Sequence, residues 1–358
     1  MTMISPGPLG AAAPRTDDPV VAPERHDAPP LPQPRGPLTQ CLVDHLRLPV
    51  HELPPLPAAL DDPVEGDDSA LALHLLYELH YRGFDAVDEG WEWEPSLLRE
   101  RRRLERAFEA RIIERAGGIP IGLSAAATRD ALVALADDDG DGQGTLSAFM
   151  AAEGTLEQLG ELMVHRSAYQ LKEADPHTWG IPRLWGRSKA AMVEIQRGEY
   201  GDGRPAEVHA QLFADAMDEL GLDNRYGAHI DRLPGATLST GNLISLFGLH
   251  RRWRAALVGH LALFELASVG PMGRYLAALT RLGHAGGAAA RFYEVHVEAD
   301  AHHAVVALDD MVGGLLEEEP ILGGEIVFGA RALAAVEGRF CHHVRTAWDA
   351  GGSSLRSP

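Results

Sequence analysis

Residues Arg291–Ala304, RFYEVHVEADAHHA, contain neither proline nor glycine and read as one helix. At about 100° per residue, His296, Asp300 and His303 fall at about 0°, 40° and −20° around its axis. Two imidazoles and a carboxylate thus share one narrow face. These side-chain types bind iron, manganese or zinc, and ordinary core packing has no use for such a triplet. A chain built around this helix must be helical elsewhere and must bring further ligands to the same face.

The remaining pattern agrees. Helical apolar spacing recurs in Ala70–Phe84, Leu97–Ala116, Thr128–Ala136, Ser147–Ala174, Leu184–Gln196 and a segment opened by Pro205 and running to about Leu220. It continues in Asn242–Leu266, with an end expected near Pro271, then Gly273–Leu282, Gly287–Leu316 and Gly324–Ala347. Alternating β patterns are scarce and no internal repeat is visible. An all-α bundle results, with residues 67–358 as one helical domain. Residues 1–66 are rich in proline, in runs such as PPLPQPRGP, and read as a mobile arm with a helical turn within Leu38–Leu48.

Composition narrows the function. The net charge of −20 disfavours a nucleic-acid partner. Cys41 and Cys341 are the only cysteines, which excludes a disulfide framework and a cysteine-rich metal site. No apolar run of membrane-spanning length is seen, and the N-terminus lacks the pattern of a signal peptide, so no membrane partner and a cytoplasmic setting are expected. The acidic run Asp137–Gly144 matches the first half of an EF-hand loop. Its twelfth position is Ala148 where a bidentate glutamate is needed, so it reads as a solvated turn that caps the next helix.

Three upstream residues could complete a site. Glu173 stands near the expected end of the Ser147–Ala174 helix, Glu199 near the end of the next, and His209 one turn into the helix after the Gly201–Pro205 break. A glutamate at a helix C-terminus opposes the macrodipole unless a cation compensates. Glu265 is acidic within a strongly apolar helix and reads either as half of a buried pair with an arginine or as a carboxylate that supports the site or hydrogen-bonds a ligand histidine. Tyr169 and Arg166 share the face of Glu173. His177 and Trp179 read as packing residues, and His302 and Glu298 point away from the ligand face. His342 and His343 are adjacent and diverge on a helix.

Glu173, then Glu199 and His209, then His296-x3-Asp300-x2-His303, in the settings HRSAYQLKEADPHTW, GEYGDGRPAEVHAQLF, FELASVGPMGRY and FYEVHVEADAHH, resembles the ligand pattern of the heme-oxygenase-like diiron oxidases, also called iron-containing redox enzymes. The resemblance covers roughly residues 70–355. It implies a bundle of about seven core helices, with additional N-terminal helices here. It also implies two iron ions on the six named residues, loaded as Fe2+, with O2 as co-substrate. The expected chemistry is O2-dependent oxidation of a small amine, amino acid or fatty acid through a peroxo-diferric species. Family substrates range that widely, and the reading admits an electron donor and a homodimer. Three carboxylates would leave a net +1 on a diferrous pair, and Glu199 is the candidate bridge. A heme-binding or noncatalytic iron-binding protein of the same fold is the alternative. Ferritin-like sites use Glu-x-x-His pairs, and the sequence has none.

Overall fold

The computed structural model describes residues 28–137 and 144–357. Regular structure among them is helical throughout: α1 Pro37–Leu46, α2 Asp67–Glu78, α3 Pro95–Arg115, α4 Ala125–Asp137, α5 Leu146–Ala152, α6 Leu156–Gln170, α7 Asp175–Thr178, α8 Gly186–Glu199, α9 His209–Glu219, α10 Gly235–Leu249, α11 Arg254–Arg281, α12 Ala288–Val305, α13 Gly313–Glu318 and α14 Gly323–Asp349. A π-helical segment, Val306–Val312, joins α12 to α13. Helices α6, α8, α9, α10, α11, α12 and α14 form the expected bundle, and α1–α5 are N-terminal additions.

The bundle is organised on α11, which packs against α12 on one side and α14 on the other and also meets α4, α5 and α10. Its crossing with α14 depends on reciprocal glycines. Gly259 lies against the carbonyl of Ile326 and Gly329 against the carbonyl of Ala256, so a β-carbon at either would overlap opposing backbone. Helix α9 lies on α12, and α8 lies on the π-helical segment. These two contacts bring Glu199 and His209 to the face of α12.

Four expectations are corrected. The arm is not mobile from residue 28 onward: Leu38, Leu42, Val43, Leu46, Leu53 and Val64 are at most 1% exposed. Their spacing in α1 is i, i+4, i+8, which gives the proline-rich stretch an apolar stripe to bury against α2. Residues 1–27 lie outside the described residues. The Ser147–Ala174 helix is two helices. Gly154 breaks it, and Thr155 with Gln158 forms a capping box that starts α6 afresh.

The helix expected to end near Pro271 runs on to Arg281 with Pro271 inside it. Packing along its length outweighs the roughly 3 kcal/mol that an interior proline costs. Finally, Arg251–Arg281 is, by length and composition, apolar enough to cross a membrane, with a mean hydropathy of 1.4 over its best window. The bundle accounts for this, because the helix is buried against α12 and α14 and is apolar on several sides. Of the acidic run, residues 138–143 lie outside the described residues. Thr145 beyond it caps α5 by accepting from the Ala148 N–H at 3.2 Å.

Candidate metal centre

The ligand face of α12 is buried as its periodicity requires. His296, Asp300 and His303 are 3–4% exposed. The Nδ1–H of His296 donates to the Phe292 carbonyl at 2.7 Å, which fixes the tautomer and leaves Nε2 facing Glu173 Oε2 at 3.4 Å. His303 is turned the other way. Its Nδ1 lies 3.2 Å from Glu199 Oε1 and 3.5 Å from Glu265 Oε2. Its Nε2 rests over Gly198, where a β-carbon would come within 2.6 Å. Only a residue without a side chain lets α8 approach this imidazole so closely. Ser268 of α11 donates its hydroxyl to Asp300 Oδ2 at 2.5 Å and orients that carboxylate.

Glu173 is not on a helix end. It occupies the tight turn between α6 and α7, and the next residue, Ala174, has φ +73°. A non-glycine residue in that region is strained and persists only where its surroundings impose it. Here the surroundings do so at three of the four turn residues. Arg82 donates to the Leu171 carbonyl at 3.2 Å. Lys172 forms a buried ion pair with Glu78 at 2.6 Å, and Glu78 also accepts from the Tyr226 hydroxyl at 2.6 Å. Gln196 of α8 donates to the Ala174 carbonyl at 2.7 Å. Glu173 is thereby held between fixed neighbours. With its nitrogen turned toward it, the Gln170 amide donates to the Glu173 carboxylate at 2.6 and 3.1 Å.

Glu199 ends α8 as expected and is buried. His209 opens α9 rather than standing one turn inside it, because Pro205 begins a separate 3-10 turn. Its Nδ1 lies 2.7 Å from Glu199 Oε2. Between them, Gly201 has φ +62° and sits against the backbone of Glu207 and Val208, so the Gly-Asp-Gly stretch is a packed turn.

The outcome is two ligand groups with one member in common. Glu173, Glu199, His209 and His296 form one, and Glu199, Glu265, Asp300 and His303 the other. Within each, one side-chain oxygen or nitrogen per residue lies within 4.8 Å of all the others. All six residues picked from the sequence converge here. Glu265, expected to support the site from behind, stands inside it as a fourth carboxylate. The signal was available: an ionisable residue in a helix otherwise apolar enough to pass for a membrane span is a site residue or a paired one. Tyr169 also reaches the site, lining a pocket of about 40 Å³ with Glu173, Glu199, His296 and Asp300. Arg166 does not. It makes a bidentate pair with Glu337 at 3.1 and 2.7 Å and lies over the Phe340 ring.

Electrostatics mark the cluster as a place for positive charge. Burial pushes the Glu265 carboxyl up to about 8, and Glu199 and Asp300 add to the effect. Burial likewise lifts Asp300 to about 6, with His296 opposing the rise. Burial would lower both α12 imidazoles. Glu173 nevertheless holds His296 up to about 10, and Glu199 and Glu265 hold His303 up to about 10. Against burial, His209, His303 and His296 keep Glu199 below the usual carboxylate range. The Nδ1 of His209, the Nε2 of His296 and the Nδ1 of His303 are all buried without an aligned hydrogen-bond partner. Three orphaned imidazole nitrogens directed at carboxylate oxygens are an arrangement that bound metal would satisfy.

The neighbouring histidines behave as the sequence suggested. His302 is exposed and pairs with Glu194, and Glu298 is exposed. His343 bonds the Ser354 carbonyl while His342 faces outward. His177 packs against His260 at 3.1 Å but also lines the pocket at the cluster, and burial pushes it down to about 3, so it is neutral.

No curated protein matches the sequence. The sequence model of the family described as iron-containing redox enzymes matches residues 160–338, half of the chain, which spans Glu173 through His303. With an all-helical, heme-oxygenase-like bundle and a buried carboxylate–imidazole cluster inside the matched region, the chain belongs to the iron-containing redox enzyme family.

Proposed function

We propose that the protein is a nonheme diiron, O2-dependent oxidase or oxygenase that acts on a small organic substrate. The observation that carries this reading is the sharing of Glu199. One carboxylate common to two ligand groups suits a pair of ions held close together by a bridge. Glu173, His209 and His296 would hold one ion and Glu265, Asp300 and His303 the other. Four carboxylates and three neutral imidazoles match the charge of two divalent ions, and the absence of thiolate from the cluster favours iron over softer metals. The fourth carboxylate, Glu265, removes the net +1 expected from three.

Two ferrous ions bound there would supply the electrons that activate O2. The protein's own residues would do the rest. The Phe292 carbonyl fixes which His296 nitrogen faces the site, and Ser268 aims Asp300. Burial and the nearby carboxylates raise the Tyr169 phenol well above its ordinary range, so it stays protonated and can donate a proton or a hydrogen bond at the cluster. Phe264, Leu261 and Met272 line the same pocket and exclude bulk water.

The test is anaerobic Fe2+ loading followed by O2. About two irons per chain and a transient visible absorbance on O2 addition are expected. Less than one iron per chain, or no O2-dependent spectrum, overturns the reading.

A further inference from the structure

The pocket at the cluster, about 40 Å³, holds a few waters or O2 and no organic substrate. A second space of about 810 Å³ lies beside it and shares Tyr169, Gln170, Phe264, Ser268 and Met272 as walls. That volume is in the range of small-molecule sites. Its walls are dominated by apolar side chains such as Leu162, Met163, Phe213, Leu263, Phe292 and Leu333.

Most charges in these walls are already matched; the exception is the Nη1 of Arg345, buried without a hydrogen-bond partner. Arg166 is engaged by Glu337, which also accepts from Thr240 at 2.8 Å. Arg345 pairs with Asp349 at 2.7 Å and lies over the Phe149 ring. A charged substrate would give up its hydration here and gain at most the Arg345 Nη1 donor and the exposed His342 in return. The phenols differ. Tyr169, Tyr275 and Tyr293 line the chamber, and their hydroxyls have no hydrogen-bond partner among the described residues, although Tyr169 and Tyr293 are only 7% and 5% exposed. A buried tyrosine hydroxyl usually finds a partner. These three make no such bond among the described residues, and their oxygens are not sealed off, so they open onto one apolar space where a ligand can take that role.

We propose that this chamber binds an uncharged, largely apolar organic molecule whose hydroxyl or carbonyl oxygen is received by the Tyr169, Tyr275 and Tyr293 phenols. Its being the substrate chamber rests on the diiron reading; its ligand chemistry does not. The test therefore starts with metal-free protein, titrated with 1-decanol, decanoate, decylammonium and arginine by calorimetry. Decanol should bind about tenfold or more tighter than each of the other three. Ala334→Trp, at an exposed position in the chamber wall, should abolish decanol binding. Tyr293→Phe should weaken it about three- to tenfold, the worth of one hydrogen bond. Tighter binding of decanoate, decylammonium or arginine overturns the uncharged class. No decanol binding, or binding indifferent to Ala334→Trp, overturns the chamber. Iron uptake, counted separately on the same proteins, should be unchanged in both variants. Iron uptake that fails in wild type while decanol binding persists would sink the diiron reading alone.

Discussion

The two halves of the cluster are built by different means. Glu173 and His209 stand at breaks in the helical pattern, a strained turn and a helix start, and only His296 comes from mid-helix. Glu265 and Asp300 project from within α11 and α12, and His303 from the last turn of α12, where the helix runs on into the π-helical segment. The first half has one carboxylate of its own and two imidazoles, the second two carboxylates and one imidazole. Precision in the first half therefore depends on pinning irregular backbone, which Arg82, Lys172 and Gln196 do. Precision in the second comes with the α11–α12 packing. Its difficulty is electrostatic, since two buried carboxyls stand side by side and are driven toward their protonated forms.

The largest test of this contrast removes the shared member. Glu199→Ala should reduce iron from about two per chain to nearly none, whereas Asp300→Ala should leave about one, held by the Glu173 half. Equal losses in the two variants, read by metal analysis of proteins with matched helical content, would show that the halves are not separable.

A smaller effect separates the pinned half from the helical one. Lys172→Met leaves Glu78 buried without its cation and should cost about 3–5 kcal/mol in thermal or chemical unfolding. Pairing it with Glu78→Gln should recover most of that stability. Iron affinity of the Glu173 half should still fall about 10- to 100-fold in the double variant, because the turn has lost an anchor. Undiminished affinity would show that the ion pair serves stability alone.

The smallest effect is graded and belongs to the helical half. Metal binding displaces protons from Asp300, Glu265, His296 and His303. As pH drops below about 6 for Asp300, 8 for Glu265 and 10 for the imidazoles, each group lowers apparent affinity by up to about tenfold per pH unit. The sign for stability is opposite in the metal-free protein. Glu265, Asp300, His296 and His303 all hold protons more tightly folded than unfolded. Their contribution is full at low pH and is lost as pH climbs, through about 6 for Asp300, 8 for Glu265 and 10 for the imidazoles. Between pH 6 and 9 the Tm of metal-free protein should fall on this account while the gain on adding Fe2+ grows. A pH-independent gain would remove proton competition from the comparison.

How much of this the sequence disclosed depended on regularity. His296, Asp300 and His303 were legible because helical phase converts spacing directly into direction. Glu265 was visible as an anomaly and not as a ligand, since its role depends on how α11 crosses α12, which no local pattern encodes. Glu173 was found by type and order, yet its turn was read as helix. Ala174 has no turn chemistry of its own, and its backbone is imposed by Gln196 and its other neighbours. Pro271 misled because its local penalty is outweighed by long-range packing. The proline-rich segment misled because composition masked the leucine stripe of α1. The unmatched phenols of the large chamber were invisible, because nothing in a sequence says which hydroxyls will lack partners.

The π-helical segment Val306–Val312 begins three residues beyond His303. Such a segment carries roughly one residue more than the α-helix it interrupts, which is about 100° of phase. In an unbroken α-helix, Leu316 would face roughly 200° from His296. The extra residue swings Leu315 and Leu316 back toward the side that α12 presents to the bundle, where both are buried. It works as a clutch between two registers. The helix can aim its carboxylate–imidazole face and its apolar end at the same interior, and deleting one residue from 306–312 would force it to choose between them.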